Sequence, residues 1–287
     1  MFPELAFLAL AQAAAPAAAP AASDIYLLEL RRDGARIAVS RPSRITDWKG
    51  YDNQPSFTPD GRALLYTSIR DDKQADIYRY DLAQKTSARL TTTAEAEYSP
   101  TVTPDGRAFS VVRVEKDGTQ RLWRFPFGPG EPELLLPDVK PVGYHAWLDA
   151  ETLLLFVLGR PATLQLASLK DGRAEIVASD VGRSLHRIPG TRFASYLDKS
   201  GVATIRRLEP RSRKSEEVVA ALDGSEDYAW LPDGRLLMAQ GSRLFSHRPG
   251  ADATWRIVAD LAEQGVRRIT RLAVNAKGDR LALVAAE

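Results

Sequence analysis

One short turn keeps returning along this chain, and it constrains the fold more than any other feature. Thr58-Pro59-Asp60-Gly61-Arg62 reappears as Thr103-Pro104-Asp105-Gly106-Arg107, with Asp105 placed 45 residues after Asp60. Proline presets φ for the second position of such a turn, and glycine accepts the positive φ that follows. A degraded copy, Leu148-Asp149-Ala150-Glu151, comes 44 residues later, and Ile188-Pro189-Gly190-Thr191-Arg192 about 41 after that. Leu231-Pro232-Asp233-Gly234-Arg235 restores the signature, and Ala276-Lys277-Gly278-Asp279 is the sixth copy, with Lys277 standing 44 after Asp233. Self-similarity at this period marks a repeated supersecondary unit.

Each unit reads as four short strands. In the first, Phe57 closes one strand and Leu64 to Thr67 begin the next. Ile77, Tyr78 and Tyr80 mark the third, and Ala88 to Thr91 form the fourth. These segments are rich in β-formers and are separated by turn residues. One such sheet cannot bury both faces alone, whereas six around an axis bury each other. The expected fold is therefore all-β, a six-bladed β-propeller with four-stranded blades over residues 23–287. After Gly278 only Arg280 to Ala285 remain to form a strand, so the last blade lacks two. The N-terminus holds matching pieces. Asp24-Ile25-Tyr26 repeats Asp76-Ile77-Tyr78, and Arg44-Ile45-Thr46 stands 11 before Pro55, as Arg89-Leu90-Thr91 stands 11 before Pro100. Two strands from each end are expected to complete the last blade, which removes exposed sheet edges.

The Pro-x-Phe/Val-x-Pro-Asp-Gly-Arg unit, followed by Asp-Ile-Tyr-x-x-Asp-Leu and Arg-Leu-Thr, resembles the WD-repeat-like units of TolB-like six-bladed propellers. The resemblance is strongest in blades one, two and five and covers about residues 24–287. It implies a fold rather than an activity. TolB also carries an N-terminal α/β domain. About 20 residues precede the first strand here, so the resemblance reaches the propeller only.

Composition excludes several functions. There is no cysteine, which rules out disulfides, thiolate metal sites, a cysteine nucleophile and a lipoprotein anchor. The net charge is +2 with both signs mixed throughout, so no basic face for nucleic acid is expected. The first 22 residues differ in kind. Leu5 to Ala15 are apolar, Ala11-Gln12-Ala13 offers a small-residue cleavage site, and Ala14 to Ala22 are alanine and proline only. This pattern predicts a secretory signal peptide and linker, and hence a periplasmic or secreted protein. The apolar stretch is too short to cross a membrane.

No catalytic residue is assigned. The chain has no Gly-x-Ser-x-Gly elbow, no His-Glu-x-x-His and no phosphate-binding glycine loop. Asp71, Asp72 and Asp76 read as a solvated hairpin tip, and Arg211, Arg213 and Lys214 as an outer hairpin. Trp123, Trp147 and Trp230 are expected between blades, the last two in phase with Phe57. His145 and His186 share a phase beside the channel, while His247 falls in the outer half of blade five.

The informative segments are the junctions that lead into each innermost strand. A ring brings one of them per blade to the channel mouth, and loops on a rigid scaffold commonly carry binding groups. The candidate binding residues are Asp52, Asn53, Glu97, Tyr98, Tyr144, His145, Arg183, His186, Asp227 and Arg268. Tyr51 belongs to the first junction, and Arg267 stands beside Arg268 in the sixth. The expected function is that of a monomeric, non-enzymatic binder of a protein segment or small polar ligand, without a cofactor. The alternative resembles the six-bladed lactonases, which hold a divalent metal in the channel. Asp52, Asn53, Glu97 and Asp227 would then bind a cation such as calcium, with His145 as base. A third reading is a stand-alone relative of the gating propeller of prolyl oligopeptidases, again a binding module.

Overall fold

The computed structural model describes residues 20–71 and 73–286. The expected signal peptide and linker lie outside the described residues except for the last three positions, and Asp72 lies outside as well. The described residues are all-β apart from one 3-10 turn at Ala262–Gln264.

Blade one runs outward from the channel as Tyr51–Phe57, Ala63–Ile69, Ala75–Asp81 and Thr86–Arg89. Blade two is Ala96–Val102, Ala108–Val114, Gln120–Pro126 and Glu133–Leu135. Blade three is Val142–Trp147, Thr152–Val157, Thr163–Ser168 and Ala174–Ser179. Blade four is Val181–Arg187, Ala194–Asp198, Thr204–Leu208 and Ser215–Ala220. Blade five is Tyr228–Trp230, Leu236–Gln240, Arg243–His247 and Arg256–Asp260. Blades two to five are separate four-stranded antiparallel sheets.

Blade six is built from both ends of the chain. Ile269–Val274 pairs with Arg280–Ala286, which pairs in turn with Ser23–Asp33. The outer position is shared by two short strands, Arg36–Val39 and Ser43–Arg44, rather than one. Pro42 separates them; it has no N–H to continue the ladder. A single parallel pair, Ser23 with Tyr51, ties this blade to blade one.

The repeated motifs fold alike. In the first turn Gly61 has φ 67° and its N–H donates to Thr58 O at 2.8 Å. Asp60 Oδ1 accepts from Thr58 Oγ1 at 2.6 Å and from Arg62 N at 3.0 Å. Asp105 accepts from Thr103 and Arg107 in the same way, at 2.6 and 3.1 Å. The Asp-Ile-Tyr and Arg-x-Thr segments form a lock that appears twice. In blade one Arg89 Nη2 meets Asp76 Oδ2 at 2.5 Å, and Ile77 N donates to Thr91 Oγ1 at 2.9 Å. In blade six Arg44 Nη2 meets Asp24 Oδ2 at 2.6 Å, and Ile25 N donates to Thr46 Oγ1 at 2.8 Å. The N-terminal segment is therefore held as a blade's outer half by the same atoms as its counterpart in blade one.

Second strands are the most buried. Leu64, Leu65 and Tyr66 in blade one and Leu153, Leu154 and Leu155 in blade three have no exposed area. Two seams are pinned by tryptophan. Trp147 Nε1 donates to Ser110 Oγ of blade two at 2.8 Å, and Trp230 Nε1 donates to Ser195 Oγ of blade four at 2.8 Å. Trp123 packs, as expected, against the apolar cluster between blades one and two. It is half-buried at a cluster edge, with Nε1 bonded to Glu115 and the Arg113 guanidinium 4.5 Å from its ring centre.

Candidate functional site

The register defines one ring of equivalent positions. Asn53, Tyr98, Tyr144 and Arg271 each oppose the fifth residue of a second strand: Thr67, Val112, Phe156 and Val284. Arg183 and Asp227 stand at the corresponding entrances of blades four and five. Four of these six side chains, Tyr144, Arg183, Asp227 and Arg271, line a channel of about 570 Å³ whose wall draws on all six inner strands.

Those four form one network. Arg183 Nε and Nη2 both donate to Asp227 Oδ2, at 3.0 and 2.8 Å, and Nη2 also donates to Thr270 O at 3.3 Å. Arg271 Nη1 stands 3.6 Å from Asp227 Oδ1, and Arg271 Nη2 donates to Tyr144 Oη at 2.7 Å. Blades three and six face each other across a six-membered ring, so the Arg271–Tyr144 bond crosses the channel. Burial opposes the Arg271 charge, but Asp227, Tyr144 and Tyr51 outweigh it and hold the guanidinium pKa above its usual value. Tyr51 lies within the field of this network. Burial, opposed by Arg271, pushes its phenol up to about 12.

The channel wall holds two histidines. His145 Nε2 pairs with Ser110 Oγ at 2.6 Å, and its Nδ1 is buried without a partner. Burial pushes its pKa down to about 3. His186 Nε2 pairs with Ser184 Oγ at 3.0 Å, its ring packs 4.7 Å from that of Tyr228, and burial lowers it to about 4. Both are neutral imidazoles at ordinary pH. His247 lies away from the channel, against Trp255 at 5.5 Å.

Several expected site residues face elsewhere. Asn53 Nδ2 donates to Ser23 Oγ at 3.1 Å, across the seam between blades one and six. Asp52 is 1% exposed in that same seam, and neither carboxylate oxygen has a hydrogen-bond partner. Burial pushes its pKa up to about 6, against the nearby Ser68 and Thr46 hydroxyls and the Arg70 charge. Glu97 has no exposed area. It accepts from Thr93 Oγ1 and from Arg113 Nε at 3.2 Å on one oxygen, the other having no partner, and burial raises its pKa. Tyr98 packs on the cluster between blades two and three. The side-chain direction, not the position along the chain, turns these residues into the seams.

Arg268 is exposed and lines a side groove with Glu226 and Asp227 rather than the channel. The channel residue of blade six is Arg271, three positions further on. A signal for it was present, because Arg271 stands 44 residues after Asp227, the blade period. The donors named for a central cation do not converge. Asp52, Asn53 and Glu97 are held in seams, and Asp227 is engaged by Arg183. Among the described residues no group of three His, Cys, Asp or Glu is placed to hold a metal ion.

No family model matches the chain, and no curated protein matches it. Solved structures do. A protein assigned as TolB from Agrobacterium tumefaciens superposes with a TM-score of 0.72 at 16% identity, over 93% of this chain and 99% of that one. TolB from Acinetobacter baumannii gives 0.60 at 11% identity, over 93% of this chain and 65% of the other. An oligogalacturonate lyase in complex with manganese gives 0.56 at 16% identity, over 91% and 78%. At these identities the likeness establishes the fold: the chain has the β-propeller fold of TolB.

Proposed function

We propose that this chain is an exported, non-enzymatic propeller that binds a protein segment or small polar ligand at the channel mouth. The observation that carries this reading is the network of Tyr144, Arg183, Asp227 and Arg271, drawn from four blades to one place. The ring does not need it for closure, since apolar seams and the Trp–Ser hydrogen bonds already join the blades. Charges taken out of water contribute weakly to stability unless fully paired, so their collection at the channel favours recognition over scaffolding. A binding role also suits the histidines. A group with a pKa of about 3 is a poor base near neutrality, and the free nitrogen of His145 is sealed from the channel. Export rests on the N-terminal pattern and on the TolB fold.

A photo-crosslinking residue placed at Arg268, on the rim beside the network, should capture a partner in the native host. The same probe at Arg211, on the hairpin face opposite, should not. The Arg268 adduct should weaken when Arg183→Ala removes the hold on Asp227. Equal capture at both positions would reject the mouth as the binding face.

A further inference from the structure

Arg271 is a largely buried mouth group whose hydrogen-bonding capacity is mostly unused. A guanidinium carries five N–H donors. Among the described residues only Tyr144 Oη accepts one of them, at 2.7 Å. The 3.6 Å separation from Asp227 is an ion-pair distance, too long for a good hydrogen bond. The side chain is 13% exposed, so bulk water does not surround it, and what remains open faces the channel and its side groove.

Its neighbours favour the charge but leave most of its donors unfilled. The single carboxylate of Asp227 serves two guanidiniums, and Arg183 takes one of its oxygens with two N–H groups. Glu226 is held by Lys199 at 2.5 Å and faces Arg183 at 3.7 Å. The Tyr144 oxygen accepts from Arg271, yet its own O–H has no acceptor among the described residues. Tyr51, pushed up to about 12, stays a protonated phenol nearby. The mouth thus holds a surplus of donors and one cation without a carboxylate of its own.

We propose that Arg271 and Tyr144 form a receptor for a carboxylate, so that the mouth takes a ligand bearing a free carboxyl group. A planar carboxylate matches the fork of a guanidinium, and a charge-assisted pair of this kind is stronger than a neutral one. A monoanion fits better than a phosphate dianion, because Asp227 and Glu226 stand beside the site. The space is present. Ala146, Ala229 and Ala273 place small side chains on the channel wall, and about 570 Å³ lies within the range of ligand pockets. The proposal rests on the mouth being the binding face and adds the chemistry of what is bound there.

The test uses the folded chain and three probes: acetyl-Ala-Ala-Ala with a free carboxylate, the same peptide as its C-terminal amide, and propionate. Trp147 and Trp230 line the channel, so their indole N–H resonances report occupancy. The free-acid peptide should shift them saturably and bind about tenfold or more tightly than the amide. Arg271→Gln should abolish that preference, Arg271→Lys should restore part of it, and Arg211→Gln on the opposite face should leave it unchanged. Propionate binding as well as the peptide would make the natural ligand a small acid, and weaker propionate binding would make it a peptide terminus; both keep the proposal. Acid and amide binding alike, or neither shifting the indoles, would overturn it. Crosslinked capture at Arg268 that persisted in the face of that result would leave the mouth as the binding face and remove only the carboxylate. If Arg271→Gln does not fold, the acid–amide comparison on the native chain and on Arg271→Lys still decides.

Discussion

Replacing Asp52 with Asn should stabilise this protein at neutral pH, although it alters a buried polar residue. The carboxyl is 1% exposed, and neither oxygen has a hydrogen-bond partner. Its pKa is raised from 3.8 to about 6. The native state therefore binds this proton more tightly than the unfolded chain does. The group costs nothing below about pH 3.8, its cost grows as pH rises through the interval, and above about pH 6 the cost is complete. A gap of about two pKa units corresponds to about 3 kcal/mol at pH 7. Asparagine removes the charge at nearly the same size, while its amide still lacks a full set of partners, so a gain of about 1–3 kcal/mol is expected. For a domain of this size that is a rise in Tm of roughly 3–10 °C. Thermal melts of both proteins at pH 7.5 and pH 4 provide the assay. The gain should be present at pH 7.5 and nearly absent at pH 4. An equal shift at both values would refute the titration argument. A loss at pH 7.5 would show that Asp52 is held ionised by a partner the chain does not supply.

Three further outcomes follow from the same structure. Deleting Leu281 to Glu287 removes the strand between Ile269–Val274 and Ser23–Asp33. Leu281, Leu283 and Val284 have no exposed area, and at about 1.5–3 kcal/mol each their burial rivals the whole net stability. The truncated chain should show no cooperative melt, and an unchanged Tm would exclude closure by two strands from each end. Gly182→Ala should destabilise by about 1–3 kcal/mol, because a Cβ there would stand 2.7 Å from Leu197 Cδ2; a urea midpoint equal to the parent's would show that Leu197 yields freely. N-terminal sequencing from the native host should find a mature chain starting between Ala14 and Ser23, and intact Met1 in the cytoplasm would end the export reading.

The fold was legible because its determinants are local and repeated. Thr58-Pro59-Asp60-Gly61 and its copies fix a turn by their own hydrogen bonds, and the spacing between copies fixes the blade. The closure was legible for the same reason: Asp24, Arg44 and Thr46 carry the lock that Asp76, Arg89 and Thr91 carry in blade one. The site was legible only as a set of positions. Which way a side chain turns at a junction depends on the adjacent blade, and sequence spacing carries no such information. Asn53 and Tyr144 share a register position, yet one reaches Ser23 in a seam and the other reaches Arg271 across the channel. Arg268 occupies the sixth junction by spacing, whereas Arg271 takes the ring position. The bulge between Ile269 and Arg271, which sets the register, has no mark in composition.

What precedes the ring residue explains why blades three and four, unlike blades one and two, send polar side chains into the channel. That position is Asp52 in blade one and Glu97 in blade two, but Gly143 in blade three and Gly182 in blade four. The two acids enter the seams where Asp24 and Asp76 lie, and burial raises both of their pKa values. Polar chemistry in that part of the ring is thus directed between blades. At the two glycines a side chain would collide with Phe156 at 2.9 Å or Leu197 at 2.7 Å, so apolar groups fill the space instead. With those positions apolar, Tyr144 and Arg183 are the first polar groups of their blades and extend into the channel, where Arg271 and Asp227 meet them. These are also the blades where the turn signature is weakest. Loss of the Asp-Gly turn in blades three and four therefore coincides with a change in what their inner strands present, and a ligand at the mouth should contact blades three to six more than blades one and two.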